Sequence, residues 1–217
     1  MAAEVHPAPN ADEASPSPRR AWTRADVLTW SAIGAWGAVM VTVCAYMLGG
    51  HLVTLPSPTP TSPRLTAAVA ERRPEAAAPG WTALHVLYGD CGCSRRVIRH
   101  LAERKPTALA HEHVVLVDPE DGDVERLERA GFPVEVMAVD ALGPRLDVAA
   151  VPLYVLAEPT GELAYVGGYT DRKRGPDIED LDILAELRAG QPVPSLPLFG
   201  CATNQALASQ VDPLGLR

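Results

Sequence analysis

Two cysteines, Cys91 and Cys93, lie within Tyr88-Gly89-Asp90-Cys91-Gly92-Cys93-Ser94-Arg95-Arg96, between an apolar run at residues 83–87 and an amphipathic one carrying Val97, Ile98 and Leu101. This pattern puts both thiols where a strand hands over to a helix. Unpaired backbone N–H groups and the helix dipole at such an N-terminus stabilise a thiolate, the form of cysteine that attacks disulfides and binds metals. Arg95 and Arg96 add positive charge and Asp90 opposes them. The chemistry open to the stretch is thiol–disulfide exchange or soft-metal binding. Cys91, directly before the helix, is expected to be the attacking thiol.

A Cys91–Cys93 bridge would span so few atoms that good disulfide geometry is hard to reach, and a strained bridge is easily reduced, hence oxidising. Cys201 offers another resolving partner if the C-terminal segment folds back to the site; otherwise it is a small buried residue beside Leu198 and Phe199. The alternative use of Cys91, Cys93 and Cys201 is to hold Cu(I) or Zn(II), ions that thiolates favour. No histidine stands at a strong ligand spacing. His85, His100, His111 and His113 read as surface or half-buried imidazoles. Cys44 reads as a small apolar residue, and no motif calls for a cofactor.

The elements that must position these thiols follow from the period of the apolar residues. Strands are expected at residues 82–88, 113–117, 134–139, 153–156 and 163–166, and helices at 94–103, 122–130 and 178–188. A short helix is expected at 145–150. In the last long helix Leu181, Leu184 and Leu187 stand at helical spacing. Glu158-Pro159-Thr160-Gly161 reads as a hairpin connection. Strand, helix, strand, helix, strand, hairpin, helix is an α/β arrangement with a mixed sheet flanked by helices. Gly167-Gly168 is explained either by close approach of a ligand to the backbone or by a turn of positive φ.

The 217 residues hold one domain and flanking segments. Of the 21 prolines many cluster in two tracts, which read as unpacked chain. Residues 1–25 are expected to be a disordered cytoplasmic tail, and 26–50 a transmembrane helix without charge from Val27 to Leu48. Arg19, Arg20 and Arg24 precede the span and no Lys or Arg follows it until Arg64. Positive charge inside places the N-terminus in the cytoplasm and the main domain outside it, on a single-pass protein of the inner (cell) membrane. A cleaved signal peptide is the competing reading. Residues 51–80 read as an extended Pro/Ala-rich spacer with a short helix possible at 64–73, 81–190 as the folded domain, and 191–217 as an extension carrying Cys201. The formal charge of −8 gives no footprint for nucleic acid.

A cysteine site between the first strand and helix, followed by Ala150-Val151-Pro152-Leu153 before a hairpin, resembles the thioredoxin-like superfamily, over about residues 82–190. Residues 131–168 look like the second half of its membrane-anchored extracytoplasmic members. The resemblance implies a cis-proline at Pro152 that packs beside the active cysteine and shapes a groove for a protein thiol or disulfide substrate. The usual site is Cys-x-x-Cys; here Ser94 stands where the second cysteine belongs. Cys91-Gly92-Cys93-Ser94, Gly167-Gly168 and Phe199-Gly200-Cys201 together resemble the RedB-like branch, with Pro176 where that branch is expected to carry a histidine. The resemblance implies an oxidoreductase in which Cys91 attacks, Cys93 or Cys201 resolves, and the Ser94 hydroxyl hydrogen-bonds the thiolate. A copper carrier on the same scaffold and a non-catalytic interaction module are the alternatives.

Overall fold

The computed structural model describes residues 22–52, 54–74, 80–173, 175 and 177–211. Pro176 lies outside the described residues, as do residues 1–21 of the expected tail. The chain divides into two compact units, Met1–Met47 and Leu48–Arg217.

The first unit is built on helix α1, Arg24–Leu52. Its start is fixed by Thr23 and Asp26: the Asp26 carboxylate accepts from the Thr23 amide at 2.9 Å, and Thr23 Oγ1 accepts from the Asp26 amide at 3.1 Å. Within residues 24–46 an 18-residue stretch has a mean hydropathy of 1.7, and its apolar surface is not buried by protein, including Trp30, Ile33, Trp36 and Val39. The helix is long and apolar enough to cross a bilayer as the anchor of a single-pass protein, a length and composition that a signal sequence shares.

The second unit is a five-stranded mixed sheet between helices. Its elements are α2 (Pro63–Glu71), β1 (Trp81–Tyr88), α3 (Gly92–Arg104), β2 (Ala110–Val117), α4 (Asp123–Ala130), β3 (Val134–Met137), α5 (Leu142–Leu146), β4 (Ala150–Val151), β5 (Leu153–Ala157), β6 (Leu163–Gly167), α6 (Asp180–Arg188), β7 (Cys201–Ala202) and α7 (Gln205–Val211). Sheet order is β3-β2-β1-β5-β6, with β1, β2 and β3 parallel and β5 and β6 antiparallel to their neighbours. This is the thioredoxin-like fold. Central β1 is covered on both faces, which is why it reads as a near-continuous apolar run. The pleat sends Leu84 and Val86 to the side of α2 and α5, and Ala83, His85 and Leu87 to the side of α3, α4 and α6. Gly161 closes the β5–β6 hairpin at a φ of 94°.

Three expectations change. The spacer is partly folded: the short helix expected at 64–73 is α2, started by Ser62 and Pro63, and its Leu65, Ala68 and Val69 are buried against the sheet rather than extended away from it. Burying Leu65 and Val69 is worth about 1.5–3 kcal/mol each, enough to hold this segment down. Residue Leu55 is also buried, and pairs with Leu198. The short helix falls at Leu142–Leu146, where Leu142 and Leu146 stack i to i+4 in the core, and residues 150–151 form β4. In α6 the buried residues are Asp180, Ile183 and Leu184, whereas Leu181 is 36% exposed. Ion pairs from Asp180 to α3 set that helical phase.

Candidate thiol site

The site is assembled from the ends of β1 and β2, the start of α3 and the C-terminal segment. Beyond Tyr88 the chain passes tightly over β2: a Cβ on Gly89 would overlap the Asp118 carbonyl oxygen and stand 2.7 Å from the Glu120 nitrogen. The next turn closes with the Cys91 amide donating to the Tyr88 carbonyl at 3.0 Å. Cys91 is then the N-cap of α3, extended at φ −108° and ψ 117°.

Glycines bring the C-terminal segment to the same place. Neither Gly167 nor Gly168 has positive φ; a Cβ on Gly167 would meet the Leu196 carbonyl oxygen at 2.9 Å, and one on Gly168 would overlap that of Pro197. The Gly-Gly pair is therefore a landing place for residues 196–198, and the Gly168 amide donates to the Leu196 carbonyl at 3.0 Å. Past this point β7 pairs antiparallel with β4, Cys201 opposite Val151 and Ala202 opposite Ala150. The Val151-Pro152 peptide bond is cis. Cys201 thus stands beside Pro152, at the start of α3.

The three thiols meet here. Cys91 is hydrogen-bonded to the Cys201 and Cys93 side chains, and these contacts hold its pKa far below the ordinary thiol value; burial works against them. The Ser94 and Cys93 amides lower it further, although the sulfur makes no capping hydrogen bond of full geometry. The Ser94 hydroxyl does not take the part expected of it, since Ser94 Oγ is buried with no hydrogen-bond partner. Arg95 is turned away to an ion pair with Glu120. Cys44 lies exposed on α1, away from these thiols in the sequence.

Exposure separates the thiols. Cys91 has 0% of its surface exposed, whereas Cys93 and Cys201 are half-buried. Both of the latter line a groove of about 460 Å³, with Pro152, Tyr169, Ile178 and Phe199 as its apolar walls. Among the described residues no group of three His, Cys, Asp or Glu side chains is arranged to hold a metal ion.

A buried polar network behind the groove escaped the sequence reading. His85 is fully buried rather than half-exposed: its Nδ1 lies 2.9 Å from the Tyr169 hydroxyl, and its ring stacks on Tyr154 at 5.0 Å. Its Nε2 stands 3.8 Å from Glu112, beyond hydrogen-bond length. Arg104 holds Glu112 through two hydrogen bonds of 3.1 and 2.7 Å, and Asp180 through one of 2.9 Å. His100 reaches the other Asp180 oxygen at 3.0 Å. Burial pushes both carboxyls up, but contacts from His85 and Arg104 to Glu112, and from His100 and Arg104 to Asp180, hold each below its ordinary value. Burial raises Tyr154 and Tyr169 well above the usual phenol value, keeping both neutral. The network ties α3 to α6 and fixes Tyr169 in the groove wall.

No family model matches the chain, and no curated protein matches it. Solved structures do. A hypothetical protein from Sinorhizobium meliloti 1021 is 22% identical with a TM-score of 0.42, over 58% of this chain and 79% of that one. The N-terminal domain of PilB from Neisseria gonorrhoeae is 15% identical with a TM-score of 0.35, over 51% and 77%. A thioredoxin-related protein from Neisseria meningitidis serogroup B is 13% identical with a TM-score of 0.34, over 54% and 90%.

Proposed function

We propose that this protein is a membrane-anchored thiol–disulfide oxidoreductase whose exchanging pair is Cys91 and Cys201. The observation that carries this reading is the return of β7, which seats Cys201 opposite Val151, beside cis-Pro152 and next to Cys91, in the wall of a groove. A thiol held as thiolate at a helix start, with a second thiol in contact, has the parts that exchange requires. Balance is simple. A partner disulfide is reduced to two thiols while Cys91 and Cys201 lose two protons and two electrons and become a disulfide, and the reverse reaction oxidises a partner dithiol.

Cys201 rather than Cys93 takes the place of the second cysteine of a Cys-x-x-Cys site. Cys93 is two residues from Cys91 on the same helix start, where a bridge strains, whereas Cys201 approaches from another element. The motifs Cys91-Gly92-Cys93-Ser94, Gly167-Gly168 and Phe199-Gly200-Cys201, in that order, support a kinship with the RedB-like branch. Arginines before the anchor and none directly after it support an extracytoplasmic domain, on the side where disulfides persist.

The test uses the full chain in detergent, equilibrated in dithiol redox buffers, with cysteines mapped by mass spectrometry. One two-electron couple between Cys91 and Cys201 is expected, lost in Cys91→Ser and in Cys201→Ser and kept in Cys93→Ser. An unchanged couple in Cys91→Ser defeats the reading.

A further inference from the structure

We propose that the partner's sulfur bonds to Cys201, and that Cys91 is the buried leaving and resolving thiolate rather than the group that first attacks. This rests on the exchange reaction proposed above and reverses the order that the sequence suggests.

Access carries the argument. Exchange proceeds by in-line attack of a thiolate on a disulfide sulfur, so the atom attacked must be reachable by a second molecule. Cys91 has 0% exposure and does not line the groove, whereas Cys201 does, next to Pro152 and Phe199. A peptide laid along Pro152 therefore meets Cys201 before it can meet Cys91. Tight packing blocks any simple uncovering: β7 is paired to β4, and Gly200 is pressed against Val151 and Pro152.

The electrostatics agree with that division of labour. In the oxidised protein a partner thiolate attacks Cys201 Sγ; the Cys91–Cys201 bond breaks, the electron pair leaves on Cys91, and a partner–Cys201 disulfide forms. The thiol whose charge is best stabilised leaves fastest, and Cys91 is the one held low by its neighbours. A second partner thiolate then attacks the partner's own sulfur and expels Cys201, which takes up a proton. Partner dithiol becomes disulfide, and the protein's disulfide becomes a dithiol. In the opposite direction Cys201 opens the partner disulfide and Cys91 closes on Cys201 to release it.

Cys93 also lines the groove, and it is the competitor to be eliminated. It projects from α3 itself, so a partner disulfide on Cys93 could be resolved by Cys91 only through the short Cys91–Cys93 bridge, with its poor geometry.

The experiment treats the reduced full chain in detergent with a neutral 2-thiopyridyl disulfide of a cysteine peptide and identifies the modified cysteine by mass spectrometry. In Cys91→Ser the peptide is expected to remain trapped on Cys201. In Cys201→Ser, a near-isosteric change that keeps Cys91 covered, trapping on Cys91 should be at least about tenfold slower, since an inaccessible thiolate does not react however low its pKa. Peptide found chiefly on Cys91 in Cys201→Ser, or on Cys93 in Cys91→Ser, overturns the assignment. Limiting iodoacetamide on the unsubstituted chain gives a second reading: Cys201 labelled ahead of Cys91 supports the order, and the reverse sinks it. If none of the three thiols exchanges with the peptide in any variant, the oxidoreductase reading itself fails, a result distinct from adducts on the wrong cysteine.

Discussion

Gly200 lies so close to Val151 that a Cβ on it would overlap the Val151 carbonyl oxygen and stand 2.6 Å from Pro152 Cδ. Both obstacles are backbone or ring, which cannot swing aside as a flexible side chain would. The contact seats Cys201, the next residue, opposite Val151 and against Cys91. Gly200→Ala is therefore expected to push β7 away and to weaken the Cys201 hydrogen bond, the largest cause of the depressed Cys91 pKa. With less support for the charged form the pKa moves up toward the free-thiol value of about 8.5. The thiolate absorbance of the reduced full chain, followed as pH falls, should lose its signal at higher pH in the variant. The yield of Cys91–Cys201 disulfide should drop with it. A titration that overlays that of the unsubstituted chain would show that β7 does not hold the site.

Ser94 invites the opposite substitution. Its hydroxyl is buried without a partner, and leaving such a group unsatisfied costs about 1–3 kcal/mol. Only its backbone amide acts on Cys91, and alanine keeps that amide. Ser94→Ala should raise the thermal unfolding temperature, by an amount on the order of 1 kcal/mol in stability, and leave the thiolate titration in place. Loss of stability, or a Cys91 pKa that climbs, would mean that the hydroxyl serves the site.

The parts of the site legible in the sequence are those whose cause is local. Cys91 at the end of an apolar run and at the start of an amphipathic one specifies an N-cap by pattern alone. Pro152 before a strand carries its own backbone constraint. The rest depends on contacts between residues distant along the chain. Gly167, Gly168 and Gly200 are visible as glycines, but what each approaches is set by the return of residues 196–201. His85 sits in a strand whose neighbours are apolar, which hinted at burial, yet its partner Tyr169 lies 84 positions away. In the segment read as spacer the short helix at 64–73 was legible, but the proline, threonine and alanine composition masked its packing, because the buried face is only Leu65, Ala68 and Val69. For α6, Leu184 and Leu187 do face the core as their spacing suggests, whereas Leu181 faces outward because the charged Asp180 is drawn inward beside Ile183.

That inward charge makes the domain sensitive to acid. Glu112 and Asp180 both have pKa values lowered by their partners, against unfolded values near 4. Between each lowered value and about pH 4 the unfolded chain binds the proton more readily, so stability rises with pH across that window and is fully present above it. As pH falls through the lowered values the contribution is lost. The Arg104 guanidinium, paired to both carboxylates and nearly buried, is then left without its counter-charges, with His85 and His100 beside it. Unfolding of the full chain in detergent should be insensitive to these carboxyls between about pH 5 and 8, then fall steeply below about pH 4. Glu112→Gln should cost about 3 kcal/mol at neutral pH, because it removes one partner of a buried ion pair and leaves the other. The same variant should have a shallower acid slope, having lost one of the two titrating groups. If the substituted and unsubstituted chains lose stability in parallel as the pH drops, Glu112 is not a source of the acid sensitivity.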